Sequence, residues 1–518
     1  MQRHGLALLI LLLGAGCAAP QPPPADVVLR YRMPEDPPTL DPFRAGDDNS
    51  LVYIYQIFDG LVEFTPGTLE PRPAVAARWH ISEDRKVYTF TLRPGVRFHN
   101  GREVSAEDVV WSLRRAMSAQ AKSEKRGFLA AVADAQAPDP ATVVITLAQP
   151  YDALLGVLAS EAGSILPREV YEDAAEGYLR TPIGCGPFRL ASWEPGVTLS
   201  LARFAQHWKQ PPARGAISRI DVRFIRSSAT ALEEYRAGGL DFLQELPPGR
   251  RAQVRSELAD QLHNAPRLAI LYIGFNFEQG VFRDNPLARR AVLHAIDREF
   301  IVRTLQEGKD LVAAGVIPPE MLGHDPGRTA AAYDPDLSAR LLAQAGHPGG
   351  KGLPEITYLS NDTEGFRRIG ERIEADLARV GLRTRVRMTD FGAFLKTMFG
   401  PALAAADMGL FRMTWYADYP DPDNFLAGQF ATGAQGNLSR YHNEAFDALM
   451  TQARVETDRA RREEIYRQGE TLLLEDAALV PVYWYRQDLL LRPEYSGMAL
   501  SPLGSFGIAW EEVARTGS

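Results

Sequence analysis

Hydrophobic positions along this chain follow two spacings, one of two residues and one of three to four, and they alternate along its length. Val87-Tyr88-Thr89-Phe90-Thr91-Leu92 is dense in β-branched and aromatic residues and runs into Arg93-Pro94-Gly95, which predicts a strand closed by a turn. Residues 104–117 predict a helix, because Ser105 suits the N-cap and Asp108, three residues on, completes a capping-box-like start. A strand returns over 143–147. Asn285-Pro286 fits an N-cap followed by proline at the first helical position, where the missing amide hydrogen costs nothing, and Gly308 is the expected stop. Ile369, Ile373, Leu377 and Val380 recur at helical spacing across 366–380, with Gly381 suited to a left-handed C-terminal residue. Residues 383–388 then alternate like a strand. This recurring order of helix, glycine and strand predicts an α/β or α+β architecture, and the absence of a repeating period argues against a solenoid or propeller.

One apolar run fits neither pattern. Residues 6–13 follow Arg3 and end in Gly14-Ala15-Gly16 before Cys17, which is far short of the roughly 20 residues that cross a bilayer. The run reads as an export signal. Small residues before a cysteine resemble the lipobox of bacterial lipoproteins, in which that cysteine is diacylated and becomes the first residue; here Gly14 stands where Leu is usual. The resemblance implies a signal peptide over 1–16, lipidation of Cys17, and a tether over 17–25 stiffened by Gln21-Pro22-Pro23-Pro24. Ordinary signal cleavage nearby is the alternative.

Composition narrows the class. With 518 residues, 45% apolar and 24% charged, the chain matches a globular protein of about three domains that needs no disulfide staples. Lys and Arg number 57 against 65 Asp and Glu, a net charge of -8, and no dense basic run could track a phosphate backbone. Nucleic acid is therefore not an expected partner. The two cysteines, Cys17 and Cys185, form no CxxC pair, and Cys185 reads as a small buried thiol.

Enzyme signatures fail at the positions their chemistry requires. Gly346-His347-Pro348-Gly349-Gly350-Lys351-Gly352 looks like a phosphate loop, but the Gly-to-Lys spacing is one short and Gly352 replaces the magnesium-binding Ser or Thr, so a turn is expected. Gly184-Cys185-Gly186 begins a dinucleotide fingerprint that Arg189 ends. There is no HExxH and no GxSxG, and the nine histidines lack metal-ligand spacing. Asp418, Asp421 and Asp423 crowd one segment without the glycine and distal Glu of a calcium loop. No cofactor or metal is implied.

The most unusual chemistry lies in Arg412-Met413-Thr414-Trp415-Tyr416-Ala417-Asp418-Tyr419-Pro420-Asp421-Pro422-Asp423-Asn424-Phe425. Its residues suit either a loop with a half-buried aromatic anchor and solvated acids, or the wall of a small-ligand site. In the second case Asp418 accepts hydrogen bonds from an ammonium while Trp415, Tyr416 and Tyr419 exclude water. The residue types alone leave both open.

Ordered blocks across nearly the whole mature chain resemble the oligopeptide and dipeptide substrate-binding proteins of ABC importers, a class that includes nickel binders. They are Pro38-Thr39-Leu40-Asp41-Pro42, Phe58-Asp59-Gly60-Leu61, Tyr88-Thr89-Phe90-Thr91-Leu92-Arg93-Pro94-Gly95-Val96-Arg97-Phe98, Gly184-Cys185-Gly186-Pro187-Phe188, Asp284-Asn285-Pro286-Leu287-Ala288-Arg289-Arg290-Ala291 and Val480-Pro481-Val482-Tyr483-Trp484-Tyr485. The resemblance implies an α/β periplasmic-binding-protein-like bilobal fold that closes about crossing hinge strands. Lobe I would comprise 26–60, 180–265 and 484–518, an extra small domain 61–179, and lobe II 266–483. It also implies that Asp418 pairs with a peptide ammonium, that Trp415 and Tyr416 flank the ligand, that Arg412 lies beside its backbone, that Phe391 is a further pocket aromatic, and that Tyr485 contributes from the hinge side. Dipeptide binders hold the ligand carboxylate with an arginine in the stretch that here reads Tyr358-Leu359-Ser360-Asn361-Asp362, so oligopeptides are the expected ligands.

The function implied is that of an exported, monomeric receptor, lipid-anchored to the membrane, delivering peptides to permease subunits served by separate ATPases, without catalysis. The same fold binding a nickel chelate, haem, a sugar conjugate or another small solute is the alternative, and a secreted hydrolase the second.

Overall fold

The computed structural model describes residues 26–172, 180–399 and 409–516. The signal segment, Cys17 and the tether lie outside the described residues. Among those described, no helix is long and apolar enough to cross a membrane.

The local signals act as elementary chemistry dictates. Strand Val87–Leu92 turns Tyr88, Phe90 and Leu92 inward and pairs with Ala76–Ile81 and Thr142–Leu147, which with Val132–Asp139 complete a four-stranded antiparallel sheet. Helix Ala106–Met117 packs on this sheet and begins with the Ser105 and Asp108 capping box. Thr363 caps helix Glu364–Arg379, and Gly381 takes φ +87 beyond its end, where a side chain would also strike Gly349. The loop at 346–352 is a single turn around Pro348–Gly350, packed so closely on Gly381 that a Cβ on Gly350 would stand 1.9 Å from the Gly381 carbonyl oxygen.

The helix expected from 285 to 308 is broken. Asn285 caps Pro286–Ala295, but Asp297 then accepts the Phe300 amide at 2.9 Å and starts a second short helix, Arg298–Phe300, followed by one wide turn, Ile301–Leu305. Arg298 donates to the Pro481 carbonyl at 3.1 Å, so contact with a distant strand accompanies the break.

Among the described residues, eleven strands form the main sheet. Running from one end, Thr384–Thr389, Ile356–Asn361 and Leu410–Tyr416 lead to Leu262–Phe275 and Leu479–Leu491, beyond which come Phe242–Leu243, Val27–Met33, Ile217–Phe224, Thr198–Arg203 and Phe188–Glu194, with Leu311–Val312 added at the side. Two halves of mixed α/β structure are thus joined by the two long strands, a bilobal arrangement.

The register between the long strands slips between Pro266 and Ile270, where proline has no amide hydrogen to give. The displaced Leu268 amide donates instead to the Pro502 carbonyl at 2.7 Å, and the Leu268 carbonyl accepts the Ala417 amide at 2.8 Å. The irregularity therefore holds the segment that carries Asp418. The Gly184-Cys185-Gly186 turn packs against Ile57, whose carbonyl oxygen would stand 2.0 Å from a Cβ on Gly184. Cys185 is fully buried there, and loss of water pushes its thiol well above the usual range.

Candidate functional site

Strand Leu410–Tyr416 and the loop after it bring most of the candidate residues to the junction of the halves. Pairing with Leu262–Phe275 sets Ile273 opposite Arg412 and Ile270 opposite Trp415, so alternate side chains from this stretch face opposite ways. Tyr416 is 41% exposed, and Trp415, Asp418 and Tyr485 are half-buried.

Asp418 is flanked on two sides. The Asn424 side-chain amide donates to Asp418 Oδ2 at 2.9 Å, while Asn424 Oδ1 accepts the Asp418 amide at 3.1 Å and the Trp415 indole Nε1 at 3.0 Å. From the short helices flanking the four-stranded sheet comes a buried ion pair, Lys125 Nζ to Glu161 Oε1 at 2.6 Å, with the Tyr55 hydroxyl donating to Glu161 at 3.3 Å. Loss of water pushes the Asp418 carboxyl up to about 6, the Lys125 ammonium and the Asn424 hydrogen bond pull it back, and Glu161 and Glu124 push it further up. Burial disfavours the Lys125 ammonium, yet Glu161 and Asp418 carry it above its ordinary value. No described residue forms an ion pair with Asp418 at contact distance.

The loop is clasped as it leaves Asp418. Tyr419 meets the Phe128 ring edge-on at 5.5 Å, and Pro420 lies 3.6 Å from where a Cβ on Gly156 would be. Asp421 and Asp423, expected only to crowd the segment, are each engaged. Arg462 holds Asp421 through two bonds of 2.8 and 2.9 Å, and Arg454 holds Asp423 at 2.8 Å.

At the other end, Arg412 is 4% exposed and lies under the Phe366 ring at 4.1 Å and near Phe394 at 5.3 Å. It donates to Thr414 Oγ1 at 2.6 Å and to Asn361, its Nε takes no partner, and it makes no ion pair among the described residues. Thr414 Oγ1 lies 3.1 Å from the Tyr485 hydroxyl, and the Tyr485 ring lies 5.4 Å from that of Tyr416, tilted by 41°. Tyr416 also carries Arg267 over its face at 4.3 Å, and Arg267 pairs with Asp48 of the opposite half.

The structure thus groups Asp418 with Trp415 and Tyr416 with Tyr485, and ties Arg412 to Tyr485 through Thr414. Phe391 stands apart, 59% exposed at the first position of helix Phe391–Phe399; Phe394, one turn later and buried, supplies the ring beside Arg412. Sequence reading missed Phe394, Phe366, Asn361, Asn424, Lys125 and Glu161. Phe394 was signalled by its helical spacing from Phe391, and Asn424 by lying inside the singled-out segment. Lys125 and Glu161 carried no local signal.

A family model described as bacterial extracellular solute-binding proteins, family 5 Middle, matches residues 70–437. The chain is 28% identical to the dipeptide-binding protein of Escherichia coli K12 over 97% of its own length and 96% of the relative's. It is also 28% identical to heme-binding protein A of Haemophilus influenzae, over 87% and 85%. Among solved structures, the periplasmic binding protein DppA of Helicobacter pylori in complex with the peptide STSA superposes with a TM-score of 0.81 at 26% identity, covering 94% of this chain and 98% of that one.

Proposed function

The chain belongs to the bacterial extracellular solute-binding proteins of family 5, and from that premise we propose that it captures peptides outside the inner membrane and hands them to the permease of an ABC importer. Binding and release, rather than turnover, are its task. The observation that carries the peptide reading is Asp418: a half-buried carboxylate with no ion-pair partner of its own among the described residues, beside Trp415 and Tyr416. A peptide ammonium supplies the missing charge, and exclusion of water on closure strengthens the pair. Arg412, equally without a carboxylate among the described residues, lies beside the ligand backbone, and Tyr485 contributes from the crossing strand. Phe391 is assigned an outer contact and Phe394 the inner one. Main-chain pairing to an extended ligand gives affinity that side-chain identity alters little, which suits oligopeptides of varied sequence.

In this reading lobe I (26–60, 180–265 and 484–518) and lobe II (266–483) close about the long strands, with 61–179 as the extra domain of lobe I. The register slip between Pro266 and Ile270 supports a division there. The receptor acts as a monomer held to the membrane through acylated Cys17, with two or more acyl chains sufficient for stable anchoring. Mass analysis of the mature N-terminus from the native host should find acylated Cys17; an unmodified chain beginning elsewhere overturns the anchor.

A second reading, haem in place of peptide, is favoured by the relative named for heme binding at the same 28% identity. Native mass spectrometry of protein purified from its own host, followed by release and sequencing of the ligand, separates the two. A heterogeneous peptide mixture is expected. A single haem species overturns the peptide assignment and leaves the fold untouched.

A further inference from the structure

We propose that Asn424 is the positioning residue of the ammonium site: its one side-chain amide fixes the Asp418 carboxylate and the Trp415 indole in a single frame. The inference rests on the peptide reading above. Asn424 is 3% exposed, and both ends of its amide are in use. Oδ1 accepts from Trp415 Nε1 at 3.0 Å and from the Asp418 amide at 3.1 Å, and Nδ2 donates to Asp418 Oδ2 at 2.9 Å. Asp418 Oδ1 receives no hydrogen bond from a described residue, so the amide orients one carboxylate oxygen and leaves the other for the ligand.

The residue type is dictated by that geometry. An aliphatic side chain would strand the indole and the Asp418 amide without an acceptor, and a carboxylate would repel Asp418 at hydrogen-bond distance. A hydroxyl is too short to reach all three groups at once. The frame itself is anchored, because Asn424 lies in the short helix Pro422–Phe425, whose capping residue Asp421 is held by Arg462 and whose Asp423 is held by Arg454. The other charged groups facing Asp418 are Lys125, Glu161 and Glu124 of the small domain, and none of them reaches ion-pair contact with it. Asn424 is therefore the neutral donor that keeps Asp418 aimed without neutralising it, leaving its charge for the ammonium.

The test is titration of the full chain with a ladder of alanine di- to pentapeptides and their N-acetylated forms, across pH, for the unaltered protein, Asn424→Ala and Asn424→Asp. For Asn424→Ala, affinity for the tightest free-amine peptide should fall about tenfold or more, while the preference over its acetylated form shrinks and the pH midpoint of binding moves up. Asn424→Asp keeps the shape of the side chain, and its second carboxylate should raise that midpoint by about one unit or more. Loss of affinity equal for free and acetylated peptides, with an unmoved midpoint in both variants, would show a merely structural residue and overturn the proposal. Failure of the unaltered chain to bind any member of the ladder overturns the peptide reading and this inference with it. Normal binding by the unaltered chain with indifferent variants overturns this inference alone.

Discussion

The loop that follows strand Leu410–Tyr416 has two sides, and its three aspartates are treated in opposite ways. On the side facing the crossing strands and the segments around the four-stranded sheet, Asp418 is half-buried, touched by a neutral amide, and within the field but not the contact distance of Lys125. On the side facing helices Glu444–Val455 and Arg459–Glu475, Asp421 and Asp423 are nearly fully buried and each has its own arginine. An acid with a dedicated guanidinium is scaffold, because its charge is spent inside the protein. An acid held in place by an amide still has charge to offer a ligand.

Substitutions should separate the two sides. Asp421→Ala leaves the Arg462 guanidinium buried without its partner and should lower stability by about 3 to 5 kcal/mol in denaturant titrations, while the folded fraction binds peptide normally. Asp418→Ala should do the reverse, lowering affinity for free-amine peptides by about a hundredfold in calorimetric titration and shifting the unfolding midpoint little. A stability loss matching that of Asp421→Ala would erase the distinction.

A pH series sharpens it further. The folded-state carboxyl of Asp418 sits at about 6, above its unfolded value, so in the ligand-free protein its contribution to stability is present at low pH and is lost as pH rises through about 6. An ammonium needs the ionised form. Peptide affinity should therefore fall by about tenfold between neutral pH and roughly one unit below the midpoint. A flat profile would contradict the ammonium pairing. The smallest effect belongs to Asp423→Asn: its partner Arg454 is 44% exposed, so solvent screening should limit the stability loss to about 1 kcal/mol by thermal melting, with binding unchanged.

Local rules carried far into this fold. The box of Ser105 and Asp108, the strand Val87–Leu92, the proline start at Pro286 and the glycine stop at Gly381 all depend on residues within a few positions of one another, and each stands where the chain's pattern predicts it. The expected helix across 285–308 went astray because Asp297 restarts the chain and Arg298 bonds a carbonyl of a strand far along the sequence. At the site, the segment from Arg412 to Phe425 was legible as unusual chemistry. Which ring meets Arg412 was not, since Phe391 and Phe394 are neighbours at i and i+3 of one helix and only packing decides which of them is buried.

By itself the sequence determined the α/β pattern, the caps and turns, and the family to which the chain belongs, because propensities, hydrogen-bonding caps and ordered motifs act over short spans. Tertiary structure alone decided which of three neighbouring aspartates has no arginine partner among the described residues. Arg454 and Arg462 come from later helices and Lys125 from a short helix nearly 300 residues earlier, and electrostatic interaction depends on distance and solvent exclusion, neither of which follows from position along the chain.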